Sequence, residues 1–363
     1  MIARTGWQGG ERVTPSQEQV EMRISVAAPE PVAAPWEIAA TVHLPGADRL
    51  ASPPAVLVCL PGGGYNRRYF DIAREGYSQA AHHTGQGIVT IALDPVGVGD
   101  STIPSQAETT LAVVAATTHE AVTQIRAQLR AGTLLPGYPP VDPAAVIGIG
   151  QSMGGFIVVA MQAAHRSFDG IAVLGASMVE TRLPQPPGKP AIPIPVDLST
   201  AEAAALVTAR ADWRHAFYWE DVPAAIVDAD TRGGLPIRTS APDWGSTTIP
   251  GLATALVQPG IIAAEAAAID VPVLVTMGER DVCQPPMAEV AAFSSARDLA
   301  LLVVPRMAHM HNFAGTRALL WARIDASIGQ VARGQFAWPP SSDQEDSKAR
   351  QPDQSGLIPV VRT

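Results

Sequence analysis

Six short runs in this chain are apolar almost from end to end. They are 55–60, 87–93, 145–150, 170–174, 271–277 and 299–304. A strand wetted on one face alternates apolar and polar residues, whereas an unbroken apolar run has both faces covered. Between these runs lie Ala-rich stretches with amphipathic spacing at 69–83, 110–131, 154–165, 286–296 and 317–332, which predict helices. Strands that alternate with helices call for a parallel sheet with right-handed crossovers. Two further stretches near the front, 20–26 and 36–42, do alternate, with a Pro-rich break between them. They predict an antiparallel pair. The expected fold class is therefore α/β, a mixed, mostly parallel eight-stranded sheet flanked by helices.

Composition supports that reading and removes others. Hydrophobic residues are 47% and charged residues 16% of the 363, enough to build a large core and too apolar for a mostly disordered chain. The net charge of −9 leaves no broad basic face, so no nucleic-acid partner is expected. No run reaches the roughly 18 apolar residues of a membrane span, and residues 1–10 carry no apolar stretch of leader length. The expectation is a cytoplasmic protein with no membrane partner. Cys59 and Cys283 both sit beside strand ends and predict free thiols.

One interval breaks the alternation. About 95 residues separate the strand near Val173 from the one near Val273, too long for a structureless loop. It opens Pro-rich at 183–195, turns Ala-rich, and carries Trp213, Phe217, Tyr218, Trp219 and Trp244. An inserted helical cap is expected. The division that follows is a flexible 1–17, a core of 18–179 with 266–333, a cap of 180–265, and a disordered tail of 334–363.

The chemistry concentrates at Gly150-Gln151-Ser152-Met153-Gly154, a G-x-S-x-G between a strand-like run and an Ala-rich helix. A strand-to-helix turn that sharp puts the serine in a strained conformation, and glycine on either side removes side chains that would collide. The helix start beneath it favours developing negative charge. The plain alternative is a Gly-rich turn with a capping serine. A nucleophilic serine needs a base and an acid to orient it. Gly278-Glu279-Arg280-Asp281 follows one late strand, and residues 305–311, with His309 and His311, follow the last. Glu279 competes with Asp281 for the acid, and so does Glu180 after the preceding strand.

With these motifs in this order the chain resembles the α/β-hydrolase fold family over residues 18–332. The resemblance implies Ser152 as nucleophile, Asp281 as acid and His309 as base, with His311 as the competing base. Gly62-Gly63-Gly64 stands where the family's oxyanion loop lies, with Pro61 in place of its frequent histidine. The implied donors are the N–H groups of Gly63 and Met153. Gly64, Tyr65, Trp213, Tyr218 and Trp219 are candidates for binding substrate, and Arg214 for pairing with a substrate carboxylate. The implied activity is a serine hydrolase that cleaves an ester or lactone of a moderately bulky apolar small molecule. C–C bond hydrolysis, amide hydrolysis and acyl transfer could use the same triad, and a non-catalytic binder could use the same pocket.

No cofactor or metal is expected. The glycines at 62–64 lack the Lys-Ser/Thr of a phosphate loop, and no cluster has metal-ligand spacing. His82, His83, His119, His165 and His215 fall in helix-like stretches, as surface or packed residues. The loop 94–101 is expected to shape a turn at the pocket rim. A homodimer is left open.

Overall fold

The computed structural model describes residues 18–335, apart from positions 33, 191, 193–201, 203, 204, 207, 208, 236, 257 and 284. The expected segments 1–17 and almost all of 334–363 lie outside the described residues. Eight strands form one sheet: β1 (Glu18–Val26), β2 (Trp36–Leu44), β3 (Ala55–Leu60), β4 (Val89–Leu93), β5 (Ala145–Gln151), β6 (Gly170–Leu174), β7 (Val273–Arg280) and β8 (Leu299–Ala308). Their spatial order is β1-β2-β4-β3-β5-β6-β7-β8. β1 pairs antiparallel with β2, and β2 with β4. All other pairings are parallel.

Five of the six unbroken apolar runs have the expected cause, whereas 299–304 forms β8 at the sheet edge, with Leu299 and Val303 exposed. In β3, Val56, Val58 and Leu60 enter one core while Ala55, Leu57 and Cys59 enter the other. Each Val or Leu fully buried contributes roughly 1.5–3 kcal/mol. A strand covered on both faces therefore gains about twice what a one-sided strand does. β1, at the sheet edge, buries only Ile24 and Val26 and keeps the alternating pattern.

The first core lies under α2 (Leu111–Ala131) and α3 (Met153–His165), and the second under α9 (Arg317–Ala332), against which α1 (Gln79–Gly85) packs. Helix α9 buries Leu320, Ile324 and Ile328, spaced four apart on one stripe. Between β6 and β7 the described residues include α4 (Trp213–Phe217), α5 (Ala224–Thr231), α6 (Leu252–Ala255) and α7 (Ala263–Ala268). Helix α4 joins the second core through Ala216 and Phe217. Leu252, Leu256, Ile262 and Ala266 join the first. Helix α8 (Pro286–Ala291) follows β7.

Two expected helices come out shorter. Over 69–83 the chain first makes a 3-10 turn at Arg67–Phe70, then an irregular loop, and only then α1. Gly76 at φ 75° breaks the helix, and Ser78 caps α1 by accepting from the Ala81 amide at 2.9 Å. The helix expected over 286–296 ends at Ala291. Conversely β7 and β8 run past their apolar segments, to Arg280 and Ala308. Asp281 and His309 are thus each the first residue after a strand. Cys59 and Cys283 are buried free thiols, and burial pushes both thiols well up.

Candidate active site

Three strand ends converge. Ser152 follows β5, Asp281 follows β7 and His309 follows β8, all at carboxyl ends of parallel strands. Open α/β sheets place their sites there.

Ser152 has φ 51° and ψ −120°, outside the regions an L-residue adopts freely. Strain of this kind persists only where the surroundings enforce it. Here the Ser152 amide donates to Leu174 O at 2.8 Å, and its carbonyl accepts from the Gly155 amide at 2.8 Å. A Cβ on Gly150 would lie 2.1 Å from the Gly154 carbonyl, and one on Gly154 would lie 2.1 Å from Leu60 O. The two motif glycines therefore let α3 start directly against β5 and β3. The Met153 amide is among the first N–H groups of α3, which have no partner within the helix.

Asp281 is fully buried and its carboxylate is saturated. Oδ1 accepts from His309 Nδ1 at 2.7 Å and from the Val282 amide at 2.8 Å. Oδ2 accepts from His311 Nε2 at 2.6 Å and from the Gly278 amide at 2.8 Å. Burial by itself would raise this carboxyl. The electrostatic pull of His311 and His309, with the N–H bonds they donate, outweighs it and holds Asp281 well below the usual carboxylate range. Both candidate bases thus touch the same acid, on opposite oxygens. Glu279 instead accepts from the Arg306 amide at 2.8 Å near the surface, and Glu180 pairs with Arg182.

The far nitrogens of the two imidazoles differ. His309 Nε2 points toward the residue before the serine, with Gln151 Nε2 at 3.4 Å. That amide also donates to His309 O at 3.0 Å. Its oxygen is buried against Gly62, where a Cβ would fall only 2.2 Å away, so a side chain at position 62 would push the Gln151 amide aside. His311 Nδ1 is buried with no partner among the described residues.

The loop that carries Gly62, Gly63 and Gly64 is held from the insertion. Gly64, at φ 81°, accepts through its carbonyl from the Ser246 amide at 2.9 Å and Arg238 Nε at 3.2 Å. Gly63 lies beside Met153, whose sulfur would be 3.9 Å from a Cβ there. Tyr65 and Tyr218 are buried, and both hydroxyls donate to Asp230 Oδ2 at 2.6 Å. The Asp230 charge adds to burial in pushing both phenols up. Asp230 Oδ1 accepts from Trp244 Nε1 at 2.8 Å and Arg238 at 3.0 Å, with neither charged group exposed.

Of the other candidates, Trp213 stands edge-on to Phe217 at 5.1 Å, and Phe217 packs 4.8 Å from the His309 ring. Trp219 lies under the Arg280 guanidinium at 4.6 Å. Arg214 makes an exposed pair with Asp228. Asp94 in the 94–101 loop is buried against Arg67 at 2.6 Å. Sequence reasoning names Phe217 only among the aromatics of the insertion, and it misses Gln151, Asp230 and Arg238. Nothing local marks a buried aspartate in a short helix, but a polar side chain flanked by the elbow glycines was a signal available for Gln151.

His82, His83 and Asp325 are the one group of metal-ligating atoms found close together among the described residues. Their nitrogen–oxygen separations are 2.7 and 2.6 Å. Two ligands of one tetrahedral zinc would stand about 3.3 Å apart. The trio has hydrogen-bond spacing, with the imidazoles donating to the two carboxylate oxygens.

The sequence profile of the alpha/beta hydrolase family matches residues 57–320, most of the chain and all three strand ends. The chain belongs to the alpha/beta hydrolase family. It is therefore an enzyme, a hydrolase. Among solved structures it is similar to the peroxisomal alpha-beta-hydrolase of Saccharomyces cerevisiae, at 14% identity and TM-score 0.55 over 93% of this chain and 94% of that one. It is also similar to a thermophilic esterase from Thermogutta terrifontis, at 17% identity and TM-score 0.51 over 86% and 99%. A proline iminopeptidase from Mycobacterium smegmatis aligns at 16% identity and TM-score 0.54 over 86% and 100%. At these identities the likeness is one of fold. No curated protein matches the chain. No helix among the described residues of this hydrolase is long and apolar enough to cross a membrane.

Proposed function

We propose that this hydrolase cleaves a carboxylic ester or lactone through Ser152, His309 and Asp281. The observation that carries the reading is the 2.7 Å bond from His309 Nδ1 to a buried Asp281, formed beside a serine held at positive φ. Asp281 fixes the tautomer that leaves His309 Nε2 free to take a proton. His309 takes the Ser152 proton as the hydroxyl attacks the carbonyl carbon. The amides of Met153 and Gly63 receive the oxyanion, and loss of one such donor costs on the order of 100- to 1000-fold in rate. The alcohol leaves with the proton from His309, and the acyl-enzyme is cleaved by water activated at the same ring.

The insertion acts as a cap in this reading. Phe217 against the His309 ring, with Trp213 edge-on behind it, supplies an apolar, aromatic wall. That wall favours a moderately bulky apolar acyl or alkyl group. One of the structural neighbours is described as an esterase, which is consistent with the reading.

The test is hydrolysis of a panel of p-nitrophenyl esters and aryl lactones, with a fluorophosphonate probe in parallel. Turnover and labelling in the wild type, both abolished in Ser152→Ala, are expected. Turnover that survives Ser152→Ala would sink the serine mechanism.

A further inference from the structure

Resting on the triad reading above, we propose that His311 is a positioning residue. It donates a second imidazole bond to Asp281 and so sets how strongly that carboxylate holds the base. The geometry is symmetrical about one buried group. His309 binds Oδ1 at 2.7 Å and His311 binds Oδ2 at 2.6 Å. Space for the pair is made by Gly175 at φ 58°. A Cβ there would stand 2.9 and 3.0 Å from the two carboxylate oxygens and 3.1 Å from His311 Cε1.

The protonation of His311 follows from its surroundings. Its ring is buried, and Nδ1 has no partner among the described residues. A proton there would be a buried donor with nothing to accept it, which is costly. The ring therefore carries its one proton on Nε2 and gives it to Asp281 as a neutral donor. A neutral donor leaves the carboxylate its full negative charge, but shares that charge between two rings. His309 is then held in its tautomer without being held too tightly as an imidazolium. The other ionisable groups near the pair are Cys283, Glu289 and Tyr69, each of which feels the Asp281 charge. None of them is bonded to it.

If His311→Leu removes the donor, Asp281 Oδ2 keeps only the Gly278 amide. The carboxylate then stabilises a protonated His309 more strongly, because a hydrogen bond that drew on its charge is gone. The base must be neutral to act, so the acid limb of the rate moves to higher pH, by about half to one pH unit. His311→Gln places an amide N–H where Nε2 was and keeps the limb near its wild-type position.

The experiment follows the rate of fluorophosphonate labelling against pH in wild type, His311→Leu, His311→Gln and His309→Gln, so no natural substrate is needed. Expected are loss of labelling in His309→Gln, an upward limb in His311→Leu and rescue in His311→Gln. An unmoved limb in His311→Leu makes His311 packing only. Loss in His311→Gln as deep as in His309→Gln makes it the base. Either overturns the proposal. Absence of wild-type labelling would break the serine reading instead. In that case proton NMR judges His311 alone: the His309 Nδ1–H signal should move downfield in His311→Leu and hold in His311→Gln. An unmoved signal overturns the proposal.

Discussion

Replacing Asp230 with alanine should destabilise this hydrolase by about 3–5 kcal/mol, the usual cost of removing one member of a buried ion pair. The reasoning starts from what would be stranded. Arg238 and Asp230 both have side chains at 0% exposure, so the guanidinium would lose its counter-charge with no water to replace it. Arg238 also donates to the Asp230 backbone carbonyl, a bond the substitution leaves in place. The Tyr65 and Tyr218 hydroxyls and Trp244 Nε1 would lose their acceptor as well. These losses share one carboxylate and do not add independently. Domains are stable by only about 5–15 kcal/mol, so the loss is a large share of the total. It corresponds to a fall in Tm on the order of 10 °C. Urea unfolding followed by the fluorescence of the seven tryptophans measures it. A double-mutant cycle with Arg238→Met identifies the cause. If the stranded charge dominates, the double variant should be less destabilised than the sum of the singles by about 2 kcal/mol or more. A cost for Asp230→Ala under about 1 kcal/mol, or a cycle that closes to zero, would refute the argument.

Two further predictions follow from the packing. Gly154→Ala drives a Cβ onto the Leu60 carbonyl at 2.1 Å, backbone that has nowhere to go, and should cost about 3 kcal/mol or more. Gly62→Ala clashes chiefly with the Gln151 amide oxygen at 2.2 Å, which can rotate away, and comes within 3.2 Å of Ser152 Cβ. It should therefore keep the melting temperature while it changes the fluorophosphonate rate, and equal melting temperatures for the two variants would contradict this. Stability should also depend on pH through His83, whose ring burial shifts downward in the folded state. The unfolded chain then binds a proton that the folded chain refuses. Stability is full above about pH 6.5 and falls as pH drops through it, by at most about 1.4 kcal/mol per unit. Urea midpoints measured from pH 8 to 5 should show the slope in wild type and a flatter one in His83→Gln.

The sheet was legible because burial on both faces leaves its mark on every residue of a strand. That is why 55–60 and 170–174 match β3 and β6 end to end. Strand ends were harder. β7 closes with Gly278-Glu279-Arg280 and β8 with Pro305-Arg306-Met307-Ala308, polar or mixed residues paired across a bulge. Ladder hydrogen bonds, rather than hydrophobic pattern, carry them on. The helix expected over 69–83 failed because Ala-rich periodicity outweighed Gly76 in the reading, while in the fold the glycine's left-handed backbone decides.

The sequence by itself determined the class of sheet and the serine elbow. Both depend on contacts a few residues apart: two-sided strands, and glycines that clear the turn at 150–154. Through the family resemblance it also favoured His309 over His311 as the proposed base and Asp281 over Glu279 and Glu180 as the proposed acid, but it did not show that both rings meet one carboxylate. That arrangement arises only where β7 and β8 end side by side and a glycine from the end of β6 clears room for two rings. The Asp230 network is of the same kind. Its donors, Tyr65, Tyr218, Arg238 and Trp244, are drawn from sequence separations of 165, 12, 8 and 14 residues. A buried charge is tolerable only once all of them have been brought around it, and no local pattern records that they will be.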